Sequence, residues 1–369
     1  MELSEIIKQR IDREGPISFR DFMEMALYYP GLGYYDNNSE KIGKGGDFYT
    51  SANLTPVFGA MIGKQLEEMW HLTGEDDFTI VEYGAGTGML CHDILEYLHD
   101  NSGLYNKVHY AIIEKSGPMR EKEKTLLHEK VSWHKSIDEL KGFTGCILSN
   151  ELIDNFPVHQ VVMQDELMEV FVDDKNGFAE LLRPAGDALK DYVTELNVTL
   201  PEGYRAEINI EAVRWIADIA KALKKGYVMT IDYGYLSDSL YKPHRSRGTL
   251  LCYHKHQIND EPYINIGKQD ITAHVNFSAL CHWGEKSGLA CCGLISQADF
   301  LLALGFKDHL RKTAAAAGSI AQLAVQEVML TRTLLVEMGS KFKVLIQQKG
   351  MAGCELSALR KPDFLLSSL

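Results

Sequence analysis

The chain has 369 residues, 45% hydrophobic and 24% charged, with a formal net charge of −13 at pH 7. That length buries a sizeable core without staples, and the composition excludes disordered and fibrous classes. The acidic balance argues against a broad phosphate-binding face, which needs clustered Lys and Arg to displace counterions, so nucleic acid is not an expected partner. One local basic patch, "YKPHRSRG" at 241–248, survives that argument, although its plainer reading is a solvated loop.

In chain order, "MELSEIIKQRIDREG" reads as an amphipathic helix of mixed charge without the apolar stretch of a signal peptide. No run approaches the roughly 18 apolar residues of a membrane helix, so no membrane insertion is expected. The seven cysteines form no C-x-x-C pair and are read as reduced thiols of a cytoplasmic protein. Next, "YYPGLGYYDNNSEKIGKGGDFYTS" interleaves glycine and proline with tyrosines. Long ordered loops of this kind are commonly functional, so residues 1–60 are expected to form an N-terminal extension that acts as a lid, with Tyr34 facing substrate.

From 78 to 149, strand-length apolar runs alternate with amphipathic helix-length stretches: strands at 78–82, 108–114, near Val131 and at 145–149, helices at 88–99 and 117–129. This is the rhythm of a parallel α/β sheet with crossover helices. It breaks at "VHQVVMQDELMEVFVDD", a β-hairpin turning near Gln164 to Glu166, followed by helices at 185–196 and 209–224; residues 158–224 therefore read as an inserted subdomain. The buried strand "YVMTIDYGY" at 227–235 resumes the sheet. Helices at 277–287, 297–304 and 318–336 and strands at 289–295 and 342–347 complete about seven strands, the last two forming a hairpin-like antiparallel edge. The sheet domain thus takes residues 61–157 and 225–350, with a tail at 351–369.

The stretch "TIVEYGAGTGML" at 79–90 ends the first strand in Glu82 and then places glycine at 84, 86 and 88. A dinucleotide turn needs G-x-G-x-x-G, and the third position of that template is Met89. The pattern E-x-G-x-G-x-G suits a cofactor without a pyrophosphate: Gly84, Gly86 and Gly88 let the backbone approach a carboxylate-bearing tail while Glu82 binds an ammonium, and S-adenosylmethionine has both groups. Glu114, ending the next strand, can accept from both hydroxyls of a ribose diol. Trp133, Ser136 and Ile137 follow where an adenine would lie. The fourth strand ends in "SNELIDNFP", which puts Asn150, Glu151 and Asp154 where the reactive end of the cofactor would point.

Together "GDFYTSANLTPVFG" (46–59), "VEYGAGTG" (81–88), "SNELIDNFPVHQ" (149–160), "IDYGY" (231–235), "RGTLLCYHKHQ" (247–257) and "QDITAHVNFSAL" (269–280) make the chain resemble the class I S-adenosylmethionine-dependent methyltransferases of the mitochondrial complex I assembly factor type, which modify a protein arginine. The resemblance implies a class I methyltransferase sheet, cofactor contacts from Glu82, Gly84, Gly86, Gly88 and Glu114, closure over the cofactor by Asp47, Thr50 and Ser51, and a substrate-facing role for Asn150, Glu151 and Asp154. It departs at Ala85 and Thr87, where the family often has Pro and Arg, and at Asn276, where Asp is expected; both differences bear on the substrate. A guanidinium is always charged and presents five donors in a fixed fork, so paired carboxylates can grip it and draw positive charge from the attacking nitrogen. Glu151 is the expected clamp, Asp154 its helper and His159 a further substrate candidate. The acceptor implied is a protein arginine, with a respiratory complex I subunit as one option. A small-molecule acceptor and a scaffold or assembly chaperone without turnover stay open. A homodimer is the default oligomer.

Overall fold

The computed structural model describes residues 1–37, 41, 51–100, 102–127, 130–316 and 328–360. The chain divides into two units. One, the sheet unit, comprises Tyr49–Glu151, Ala217–Tyr233 and Gly284–Leu369; the other, the hairpin unit, comprises Met1–Phe48, Leu152–Ile216 and Gly234–Trp283.

The sheet unit is built on β1 (Phe78–Tyr83), β2 (Val108–Ile113), β3 (Val131–His134), β4 (Phe143–Asn150), β5 (Leu223–Tyr235, its last two residues counted with the hairpin unit), β6 (Ala290–Ser296) and β7 (Phe342–Lys349). Their order across the sheet is β6-β7-β5-β4-β1-β2-β3. The five strands β1 to β5 run parallel, while β7 is antiparallel to both β5 and β6, the edge expected from the sequence. Strand order reverses between β1 and β4, and ligands of open α/β sheets bind at the carboxyl ends of strands at such a reversal. Both faces of the central strands are covered, so they read as continuous apolar runs: Ile80 and Val81 in β1, and Cys146, Ile147 and Leu148 in β4, are fully buried. Against them pack α1 (Pro56–Thr73) and α2 (Met89–His99), through Phe58, Ile62, Leu66, Ile94 and Leu98. Helix α1 starts where the Thr55 hydroxyl accepts from the Val57 N–H at 3.3 Å with proline at its first position, and it stops at Gly74 in the left-handed region.

In the hairpin unit, helices Leu3–Glu14 and Phe19–Tyr28 precede the expected hairpin of strands His159–Met163 and Leu167–Asp174. Arg205–Ile208 pairs with the first hairpin strand, and Phe178–Pro184 and Ile17–Ser18 with the second. The division differs from the one read in the sequence, which set the N-terminal segment apart and gave 234–283 to the sheet domain. The cause is packing: Ile17 and Ser18 pair with Val172 and Phe171. Cys252 and Ile271, from a small three-stranded sheet, share one buried cluster with Ile7, Phe22 and Val170.

One expectation is corrected. Cys292 and Cys354, read as reduced thiols, form a disulfide with Cα atoms 5.1 Å apart, and their separation of 62 residues leaves no local spacing to announce it. Of the expected helix at 318–336, the described part from Val328 is helical and ends in a π-turn at Arg332–Glu337. Among the described residues no helix is long and apolar enough to cross a membrane.

Candidate functional site

The turn after β1 favours glycine at three positions. Gly84, Gly86 and Gly88 have φ of 63°, 60° and 79°, the left-handed region where a Cβ clashes with the backbone. The Gly84 N–H donates to the Ile113 carbonyl at 3.0 Å, which ties the turn to the end of β2, and the Gly88 N–H donates to Ala85 at 2.9 Å. Gly88 is also the N-cap of α2, so the turn delivers the chain to a helix N-terminus, where the backbone dipoles favour negative charge. The Thr87 hydroxyl donates to Asn53 Oδ1 at 2.9 Å.

Carboxylates gather around this turn. Glu82 is 2% exposed and accepts from the Tyr110 hydroxyl at 2.7 Å; burial pushes its carboxyl up to about 7, against the opposing effect of that hydrogen bond. Glu114, just past β2, accepts from the Ser116 N–H at 2.7 Å through Oε1, while Arg120 donates to its backbone carbonyl. Burial raises the Glu114 carboxyl too. Glu123 stands on the buried face of α3 (Gly117–Leu126), a helix capped by the Ser116 hydroxyl. Its Oε2 accepts from the Trp133 indole at 2.8 Å, its Oε1 is buried without a partner among the described residues, and burial with the Glu114 charge pushes it up to about 8.

At the end of β4, Asn150 donates to Glu151 Oε1 at 3.4 Å, and its own Oδ1 is a buried acceptor without a partner among the described residues. Glu151 has φ of 52°, a costly conformation for a residue with a side chain and one that concentrates at functional sites. Its N–H donates to Ile231 at 2.9 Å, and Oε1 accepts from the Ser51 N–H at 3.0 Å. Burial pushes the Glu151 carboxyl up to about 8, opposed by the Ser51 bond and reinforced by the charge of Asp232.

A family model of S-adenosyl-L-methionine-dependent methyltransferases matches residues 61–295. The chain belongs to that family. The methyltransferase is 31% identical, with a TM-score of 0.86, to a Burkholderia thailandensis protein solved bound to S-adenosyl-homocysteine, over 97% of this chain and 95% of that one. It is 26% identical to a Drosophila melanogaster protein described as a protein arginine methyltransferase NDUFAF7 homolog, mitochondrial, over 96% of this chain and 86% of the relative. A human relative described as protein arginine methyltransferase NDUFAF7, mitochondrial, is 28% identical over 82% of this chain and 73% of its own length. The fold is that of class I methyltransferases, and S-adenosylmethionine is the cofactor. The sheet unit fits this group: the glycine turn admits backbone approach, and the orphaned Asn150 Oδ1 is the kind of buried acceptor that an ammonium donor satisfies.

The other expected residues are placed as follows in the fold. Ser136 spends its hydroxyl as the N-cap of the 3₁₀ turn Ile137–Glu139, accepting from the Asp138 N–H at 3.2 Å. Ser51 presents its N–H to Glu151, whereas Asp47 and Thr50 lie outside the described residues. In the hairpin unit, Tyr34 is 1% exposed within the apolar cluster; Tyr35, stepped one residue on, is half-buried and donates to Asp270 at 3.0 Å. His159 is likewise engaged in structure, its Nδ1 2.6 Å from Glu169 Oε1 across the hairpin. Asp154 is buried in the turn Ile153–Asn155, where its carbonyl accepts from the Ala273 N–H at 2.9 Å. The sequence reading passed over Tyr110 and Glu123. Glu123 had a signal: it occupies the apolar stripe of α3 between Met119 and Leu127, a place where a carboxylate needs a reason.

Proposed function

We propose that this methyltransferase acts on an arginine of a protein substrate, with a respiratory complex I subunit as the first acceptor to try. The observation that carries the reading is Glu151, held in a left-handed backbone at the end of β4 with its carboxyl pushed up to about 8. The names of relatives that span most of the chain, protein arginine methyltransferases, support the same acceptor. In this reading Glu114 accepts from the ribose hydroxyls, the glycine turn takes the carboxylate-bearing tail, and Asn150 with Glu82 faces the ammonium. S-adenosylmethionine supplies a methyl already activated on sulfur, so the protein's task is to position and to stabilise charge. Glu151 does so by ionising as a guanidinium arrives, gripping its N–H groups and offsetting the charge that builds on the attacking nitrogen. Incubation with methyl-labelled cofactor and a protein extract, followed by acid hydrolysis, tests this: label in methylarginine is expected. Label confined to small molecules or to another amino acid would refute it.

A further inference from the structure

The basic stretch at 241–248 is pinned at every turn. Its residues Pro243–Arg245 form a 3₁₀ turn. The Tyr204 hydroxyl donates to the Lys242 carbonyl, and the N–H groups of Arg205 and Gly248 donate to the carbonyls of Ser246 and Arg245, all at 2.9 Å. Glu207, 8% exposed, accepts from the Thr249 N–H at 2.8 Å and from its hydroxyl at 2.9 Å. Gly248 has φ of 84°, and a Cβ there would stand 2.3 Å from Glu207 Oε1, so a side chain at this position strains the backbone and displaces the Glu207 carboxylate.

Two cations of the neighbourhood are spent on the structure: Arg205 pairs with Glu180, and Arg245 lies 4.0 Å over the Tyr235 ring while donating to the Ser239 carbonyl. Two others, Lys242 and Arg247, are turned to solvent, and His244 is exposed beside them. No described carboxylate pairs with Lys242 or His244. Arg247 is 91% exposed and 3.5 Å from Asp260, itself 67% exposed, a solvent-screened pair that is easily exchanged.

We propose that this rigid loop is a docking surface for a short acidic segment of a protein partner. A preorganised display of cations holds a few carboxylates at little ordering cost, and the net charge of −13 around it restricts the partner to a short acidic segment. The patch is too small for the other polyanions. Nucleic acid carries a charge about every 1.7 Å and a lipid surface is broader still, so either would set most of its charge against an acidic body. The proposal needs a protein partner but not arginine as the acceptor, and binding rather than turnover reads it out.

Anisotropy of a fluorescent hexaglutamate peptide with the full chain is the test, run with Lys242→Glu/Arg247→Glu beside the parent and with S-adenosylhomocysteine affinity as the control for folding. The peptide is expected to bind at low salt, to weaken about tenfold or more in ~0.2 M salt, and to weaken at least as much in the double variant while S-adenosylhomocysteine binding is unchanged. Absence of peptide binding, or equal binding by the double variant, would overturn the proposal. So would tighter binding of a single-stranded RNA or of phosphatidylserine vesicles that the double variant loses.

Discussion

The two units handle charge in different ways. In the sheet unit, Glu82, Glu114, Glu123 and Glu151 are carboxyls raised by burial, and they accept from neutral donors such as the Tyr110 hydroxyl, the Ser116 N–H, the Trp133 indole and the Ser51 N–H. In the hairpin unit carboxylates meet basic side chains: Arg20 with Glu211, Arg205 with Glu180, and the His159 ring with Glu169. Its buried Glu207 is the exception, a carboxyl raised by burial and held by Thr249 and Gln160. Matched groups serve the fold. Buried carboxyls raised in this way cost stability and concentrate where a site waits for a cation; S-adenosylmethionine and a guanidinium are both cationic.

The sharpest way to break that contrast is Glu151→Gln. Loss of the clamp is expected to lower kcat/KM for an arginine acceptor by about 10²–10³-fold, the range seen when a transition-state partner is removed. Because the free carboxyl sits near 8, kcat/KM of the parent should climb about tenfold per pH unit below that value and level off above it. The variant's profile should lack this limb. Next in size, Glu114→Ala should weaken cofactor binding by about 10–100-fold in a direct titration, the worth of a charged hydrogen-bond acceptor, with little change in thermal stability.

A smaller effect concerns the protein without cofactor. A carboxyl raised from 4.5 to about 7 or 8 keeps its proton in the folded state where the unfolded chain has lost it. Folding stability should therefore be fullest below pH 4.5 as regards these groups and fall as pH rises toward 7 or 8, by at most ~1.4 kcal/mol per pH unit per group. Melting from pH 5 to 8 checks this, and Glu123→Gln should flatten the slope. Smallest, Gly248→Ala should cost about 1–3 kcal/mol through its left-handed backbone and the contact with Glu207, while leaving S-adenosylhomocysteine affinity alone.

The sheet unit was largely legible because its signals are local: strand and helix alternate within a few residues, and Glu82 with its three glycines is one contiguous pattern. What escaped lay on faces or at distances that no local pattern marks. Glu123 shows only as a charge on an apolar stripe, and Cys292 meets Cys354 across 62 residues. The hairpin announced itself by alternation, and its register places Glu169 opposite Val161, so the partner of His159 follows once the strands are paired. Which of Tyr34 and Tyr35 turns inward could not follow from a segment rich in glycine and proline, where no period assigns a face. The pairing of Ile17 with Val172 is a tertiary choice by a two-residue strand.

The most direct test of the account is a calorimetric titration of the protein with S-adenosylmethionine and, in parallel, with NAD, repeated on Gly86→Val. Gly86 has φ of 60° at the centre of the turn, so a branched side chain there should abolish binding of the sulfonium cofactor, which the parent should bind while ignoring NAD. Undiminished binding by a folded Gly86→Val would contradict the placement of the cofactor at this turn, and so the reading of the carboxyls around it.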